Sequence, residues 1–227
     1  MRFKLLRKIP FLRKLSAKDL KRVYHIAKER VFKEGETIFG KSEAAEHMFI
    51  VISGRVKIFT NSATKKRKTF AYLSPGDFFG EMALLEGSPR SAAAQAVEDS
   101  KLLVVSKIDF RRLLIKDPKL TYYLLRIVSE RLRRANQEIE GLLFHNILGR
   151  VSKTLSDLSR DGKQFRGGML LKEHFTQQEL ADLVGTTREP LTRALSALRR
   201  AELIDFHHGR YFIKSVERLS TISLISA

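Results

Sequence analysis

From Pro118 to about Asn146 the chain carries apolar residues at alternating steps of three and four. Leu125, Val128, Leu132, Ala135, Ile139 and Leu142 form a seam of about two and a half heptads. At about 1.5 Å per residue, such a helix is roughly 45 Å long. Charged residues flank the seam on both sides: Arg126, Glu130, Arg131, Arg133, Arg134, Glu138 and Glu140. Two structures satisfy this pattern, a helix packed on its own domain and a helix paired with a second copy. The narrow seam and charged flanks favour the pair, so a homodimer is expected. The helix also divides the chain into two parts with different periodicity.

Before it, the pattern is that of short strands. Apolar runs occur at 37–39, 48–52, 56–60, 69–73, 92–97 and 102–105, separated by Glu34-Gly35-Glu36, Ser53-Gly54, Asn61-Ser62 and Ser74-Pro75-Gly76-Asp77. Regularly spaced short strands predict a sandwich or rolled barrel. Ser16 caps a predicted amphipathic helix containing Leu20, Val23, Tyr24 and Ala27. Lys65-Lys66-Arg67-Lys68 is placed on a hairpin tip, and 108–114 reads as a short helix. The expected fold class is α+β, with three parts. A β-roll covers 1–116, a dimerisation helix and hinge 117–148, and a winged helix-turn-helix 149–227. Gly149 is read as the hinge or a helix C-cap.

The helix-turn-helix rests on local chemistry. Thr176 and Glu179 have the spacing of a capping box. Leu180, Ala181 and Val184 make the buried stripe of the first helix, and Gly185 ends it. Thr187 is read as the cap of the second helix, with Leu191, Ala194, Leu195 and Leu198 buried. Pro190 falls in the first turn, where a backbone donor has no intrahelical acceptor. Arg188, Glu189, Thr192 and Arg193 then face outward near the start of the second helix. Arginine pairs with guanine O6 and N7, and glutamate accepts from cytosine N4, so this face suits the DNA major groove. A purely structural three-helix unit is the alternative. Asp205 to Ile213 reads as a two-stranded wing, with His207-His208 at its turn rather than on a metal.

The segment 78–93 concentrates a different chemistry. Gly80 permits close backbone approach, and Glu81 to Leu85 makes one helical turn. Arg90 offers a planar fork to a phosphate diester and Ser91 a hydroxyl. Glu81 repels phosphate but accepts from a sugar hydroxyl, and could also hold Arg90. On these residues alone, an anion cradle and a structural Glu–Arg pair both stand.

Composition narrows the classes. The chain of 227 residues has 43 Lys and Arg against 25 Asp and Glu, a net charge of +18. The excess favours a polyanionic partner. Residues 1–149 hold +14 of it and residues 1–33 hold 12 basic residues against Asp19 and Glu29. That terminal run is either a solvated face or a neighbour of flanking DNA phosphates. Cysteine is absent, which excludes disulfides and thiolate metal or iron–sulfur ligation. No apolar run approaches the ~20 residues of a membrane span, and no secretory signal is read at the start. A cytoplasmic protein is expected, with no membrane partner.

Gly80-Glu81-Met82-Ala83-Leu84 followed by Pro89-Arg90-Ser91-Ala92 resembles the phosphate-binding cassette of cyclic-nucleotide-binding domains. Residues 9–215 resemble the cyclic-AMP receptor protein / fumarate–nitrate regulator family of transcription factors in the order of their parts. The resemblance implies that Glu81 bonds the ribose 2′-hydroxyl and that Arg90 and Ser91 bind the cyclic phosphate, with Gly80, Met82 and Ala83 completing the cassette. It implies an Arg-Glu-x-x-x-Arg reading set in Arg188, Glu189 and Arg193, hence a palindromic TGTGA-type site. Thr176, Gln178 and Thr187 fall where backbone contacts are made. Members that read adenine place Thr-Ser on the dimer helix, where this chain has Ala135-Asn136. Asn136 can donate and accept at a purine edge, and Ala135 cannot. The expected effector is cyclic AMP, with another cyclic nucleotide as alternative, and with no metal, haem or iron–sulfur cluster. The expected partners are double-stranded DNA, a second copy and RNA polymerase, the last through the Asp161–Gly168 loop. A same-fold regulator with another effector or none is the runner-up. A barrel enzyme of cupin type is a third reading; the six histidines show no paired spacing within its strands.

Overall fold

The computed structural model describes residues 26–62 and 67–225. The Ser16-capped helix, the basic N-terminal run up to residue 25, and Lys65-Lys66 lie outside the described residues. The chain forms two compact units, Met1–Arg131 and Leu132–Ala227.

Among the described residues of the first unit, eight strands make two antiparallel sheets. These are β1 (Lys28–Phe32), β2 (Thr37–Phe39), β3 (His47–Ser53), β4 (Val56–Asn61), β5 (Arg67–Leu73), β6 (Phe78–Phe79), β7 (Ala93–Ala96) and β8 (Ser100–Ser106). The orders are β1-β8-β3-β6 and β2-β7-β4-β5. Alternation along β3 and β8 explains why both read as continuous apolar runs. Phe49, Val51, Leu102 and Val104 enter one core with Phe32, Phe39 and Phe79. Met48, Ile50, Leu103 and Val105 enter another with Phe78, Leu84, Phe110, Leu120 and Leu124. A strand buried on both faces has no polar side to show. The second core fixes α1 (Glu81–Glu86), α2 (Lys107–Lys116) and the start of α3 (Pro118–Phe144) to the sheet.

Helix ends follow their capping chemistry. The Ser106 hydroxyl accepts from Asp109 N–H at 3.2 Å and starts α2. Asp117 Oδ1 accepts from the N–H groups of Lys119 and Leu120 and starts α3, with Pro118 at the first helical position, where its missing donor costs nothing. Along α3, Leu120, Tyr123 and Leu124 are buried, whereas Leu125, Leu132 and Ile139 of the seam are 60 %, 62 % and 55 % exposed.

The second unit adds α4 (Ile147–Ser159), β9 (Lys163–Phe165), β10 (Gly168–Leu170), α5 (Gln177–Val184), α6 (Arg188–Arg200), β11 (Ile204–His207), β12 (Arg210–Ile213) and α7 (Val216–Ile225). The break after α3 falls at His145-Asn146. Asn146 Oδ1 accepts from Gly149 N–H at 3.0 Å. Gly149 is therefore inside the first turn of α4, not a hinge or C-cap. The wing is also larger than a two-stranded one, a sheet of order β11-β12-β10-β9. Asp161–Gly168, expected as a loop, contains β9 and most of a hairpin. Its turn residues Arg166 and Gly167 both have positive φ, as do His208 and Gly209 between β11 and β12. Two-residue turns of that hand match the twist of paired strands.

Candidate functional site

Glu81, Gly80 and Arg90 come together at the N-terminus of α1. Gly80 is the N-cap at φ 80°, a conformation that favours glycine. A Cβ there would lie 2.7 Å from Arg90 Nη1. The bare backbone instead brings its carbonyl to the arginine: Nη1 donates to Gly80 O at 2.7 Å and Nη2 to His47 O at 2.5 Å. The guanidinium lies 4.2 Å from the Phe39 ring centroid, and Phe39 sits against Phe49 and Phe79. Arg90 is thus a buried cation on an aromatic floor. Burial weakens its hold on its proton, and the charges of Glu43, Glu81 and Glu46 act the other way.

Glu81 is 1 % exposed. It does not hold Arg90. Its Oε1 accepts from Arg131 Nη1 of α3 at 2.6 Å, and Arg131 Nη2 donates to Phe78 O at 2.6 Å. Arg131 also lies over the Phe78 ring. The other carboxylate oxygen, Glu81 Oε2, is buried without a hydrogen-bond partner, and so is Arg90 Nε. An unpaired acceptor and an unpaired cationic donor, both out of water, are costly unless a ligand completes them. A sugar hydroxyl suits the first and a phosphate oxygen the second, so a cyclic nucleotide fits these residues. Ser91 beside Arg90 is exposed, as is Met82, while Ala83 is buried in the second core. Asn136 is exposed on α3 and belongs to the second unit.

The helix-turn-helix is α5 and α6. Thr176 and Glu179 make the reciprocal capping box, and Gly185 closes α5 at φ 77°. All the expected stripe residues of both helices are buried. Thr187 is the N-cap of α6, but its side chain makes no capping bond. Arg188, Glu189 and Arg193 are exposed, and Arg193 pairs with Glu189 at 3.4 Å. Thr192 is half-buried and donates to Arg188 O at 2.8 Å. Gln178 Nε2 donates to Asp182 Oδ1 at 2.8 Å. Its neighbour Gln177, which no motif or periodicity singles out, is the one that reaches α6.

Two family models match. A cyclic nucleotide-binding domain covers residues 29–117 and a Crp-like helix-turn-helix domain covers 149–222. The cyclic AMP receptor protein of Thermus thermophilus is 31 % identical over 94 % of this chain and 96 % of its own. The chain belongs to the Crp/Fnr family of transcription regulators.

The CRP-like cAMP-activated global transcriptional regulator of Mycobacterium tuberculosis is 30 % identical, over 83 % of this chain and 85 % of that one. Among solved structures, the c-di-GMP responsive global regulator CLP of Xanthomonas campestris superposes with a TM-score of 0.76 at 25 % identity, covering 88 % and 100 % of the two chains. Crp/Fnr proteins regulate transcription and are not enzymes, which sets the cupin reading aside. The Crp/Fnr fold of β-roll, long helix and winged helix-turn-helix is the one the sequence predicts. Among the described residues, no helix is long and apolar enough to cross a membrane.

Proposed function

We propose that two copies of this chain pair along α3 and form a cytoplasmic regulator whose DNA binding is set by a cyclic nucleotide, with cyclic AMP as the effector. The carrying observation is the cassette, where Glu81 Oε2 and Arg90 Nε are buried side-chain atoms without partners. Arg90 and Ser91 hold the cyclic phosphate and Glu81 the ribose. Gly80, Met82 and Ala83 frame them, and Asn136 reads the base. Leu125, Leu132 and Ile139, exposed at seven-residue intervals, supply the apolar stripe of the dimer. Each copy then presents Arg188, Glu189 and Arg193 to a half-site of a palindromic TGTGA-type operator, while Thr176, Gln178 and Thr187 face the phosphate backbone. RNA polymerase meets the bound dimer at the β9–β10 hairpin. The effector acts only as far as it binds the DNA-competent state more tightly than the other.

A second reading keeps the fold and changes the effector. Ala135 supports it, since a methyl group forms no hydrogen bond to a base, and one relative of this fold is described as responsive to c-di-GMP. Calorimetric titration with cyclic AMP, cyclic GMP and a cyclic dinucleotide separates the two, with saturable binding of cyclic AMP alone expected. Arg90→Leu abolishes that binding. If Arg90→Leu leaves both nucleotide and DNA binding unchanged, the cassette is not the effector site.

A further inference from the structure

Gln177 is the first residue of α5, and its side-chain oxygen lies against two side chains of α6. Arg188 Nε donates to Gln177 Oε1 at 3.3 Å and Thr192 Oγ1 approaches the same atom at 3.2 Å. Arg188 and Thr192 are one turn apart, and the Thr192 hydroxyl also donates to Arg188 O. The first turn of the reading helix is therefore tied back to the helix before it through one amide oxygen. The Arg188 Nε–H sets the amide orientation, since the –NH2 end would meet that hydrogen with one of its own.

An exposed arginine at the start of a helix loses rotamer entropy when it bonds a base. Arg188 meets that cost in part before DNA arrives, because its Nε–H is held while both Nη groups stay available for guanine O6 and N7. The tether is neutral. A carboxylate in its place would also bind Nε, but would draw the guanidinium charge away from DNA and repel phosphate. The second reading arginine is held differently, by Glu189 within α6.

We propose that Gln177 is a positioning residue for base recognition: it sets the discrimination that Arg188 exerts at one base pair. The proposal rests on α6 being the base-reading helix. The test uses the full chain and a set of operators with each base pair replaced in turn, with affinities measured by fluorescence anisotropy at fixed salt. Arg188→Ala identifies the base pair at which discrimination is lost. Gln177→Met, of similar size but without an acceptor, is expected to lower discrimination at that same pair about tenfold, with less than a twofold change on non-operator DNA. Gln177→Glu keeps the acceptor and so keeps the discrimination, while weakening binding to all sequences alike. Equal behaviour of the Met and Glu variants at that pair, or a Gln177→Met loss spread evenly over all sequences, would overturn the proposal. If Arg188→Ala flattens no position, the reading of α6 as the base-reading helix falls, and the proposal with it.

Discussion

Arg131 of α3 donates to the buried carboxylate of Glu81 at 2.6 Å, joining residues fifty positions apart. The same guanidinium donates to Phe78 O and covers the Phe78 ring. A carboxylate that is 1 % exposed needs such a partner, because an ionised group taken out of water is otherwise strongly disfavoured. The contact also connects the end of the cassette proposed to bind ribose to the helix proposed to carry the dimer seam.

Replacing Arg131 by Met keeps the bulk and removes the charge. Glu81 is then left buried and unpaired. Arg131 is itself about one-third exposed, so solvent screens part of the loss, and a destabilisation of about 2 kcal/mol is expected. Adding Glu81→Gln recovers part of it, since the remaining group is neutral. Urea denaturation of the two single variants and the double variant measures the coupling. Additive losses would show that the pair contributes nothing as a pair.

Gly80→Ala combines two faults. It forces a side chain into φ +80° and sets a Cβ 2.7 Å from Arg90 Nη1. The strain costs about 1–3 kcal/mol, and the displaced arginine loses its bond to the Gly80 carbonyl. Thermal melts and nucleotide calorimetry are both expected to fall. Unchanged nucleotide affinity would mean that the arginine does not need this carbonyl.

Asp99 closes the β1–β2 turn from a distance, accepting from Lys33 Nζ at 2.8 Å and Glu34 N–H at 3.0 Å. The Lys33 hydrogen bond first, and then the Glu34 N–H, hold its pKa below the usual aspartate value. A depressed carboxyl stabilises the fold above its unfolded pKa of about 3.9, and the contribution is lost as pH falls through the lower folded value. Asp99→Asn is therefore expected to lower the melting midpoint at pH 7. The difference from the parent protein closes as the pH falls below the unfolded value and through the lower folded one. A difference that persists in acid would assign the effect to packing rather than charge.

Leu132 lies in the middle of the exposed stripe on α3. Leu132→Lys places a cation in the proposed seam, opposite its own copy, and is expected to shift sedimentation from dimer to monomer without lowering the melting point by more than a few degrees. A dimer that survives this change would place the interface elsewhere.

Local signals carried much of the fold. The Thr176–Glu179 capping box, the glycine that ends α5 and the stripe of α6 were legible because each is decided within a few residues. β1 was not, since Lys28-Glu29-Arg30-Val31-Phe32 is mostly charged, and its pairing comes from β8 at the other end of the domain. β9 and β10 were hidden by a Gly-rich stretch that reads as a loop, although Arg166-Gly167 makes a hairpin turn. In the cassette, the motif named Glu81 and Arg90 but not what holds them. Arg131 sits among several arginines on α3, and no periodicity distinguishes the one that reaches Glu81. Gln177 and Gln178 are adjacent amides, and only the packing of α5 on α6 decides which one faces Arg188.

The central claim is that occupancy of the cassette changes DNA binding. Its most direct measurement is the affinity of the full chain for a palindromic TGTGA operator, with and without saturating cyclic AMP, at one salt concentration. Cyclic AMP is expected to tighten operator binding at least tenfold, and Arg90→Leu to remove the effect. Equal affinity with and without cyclic AMP would contradict it.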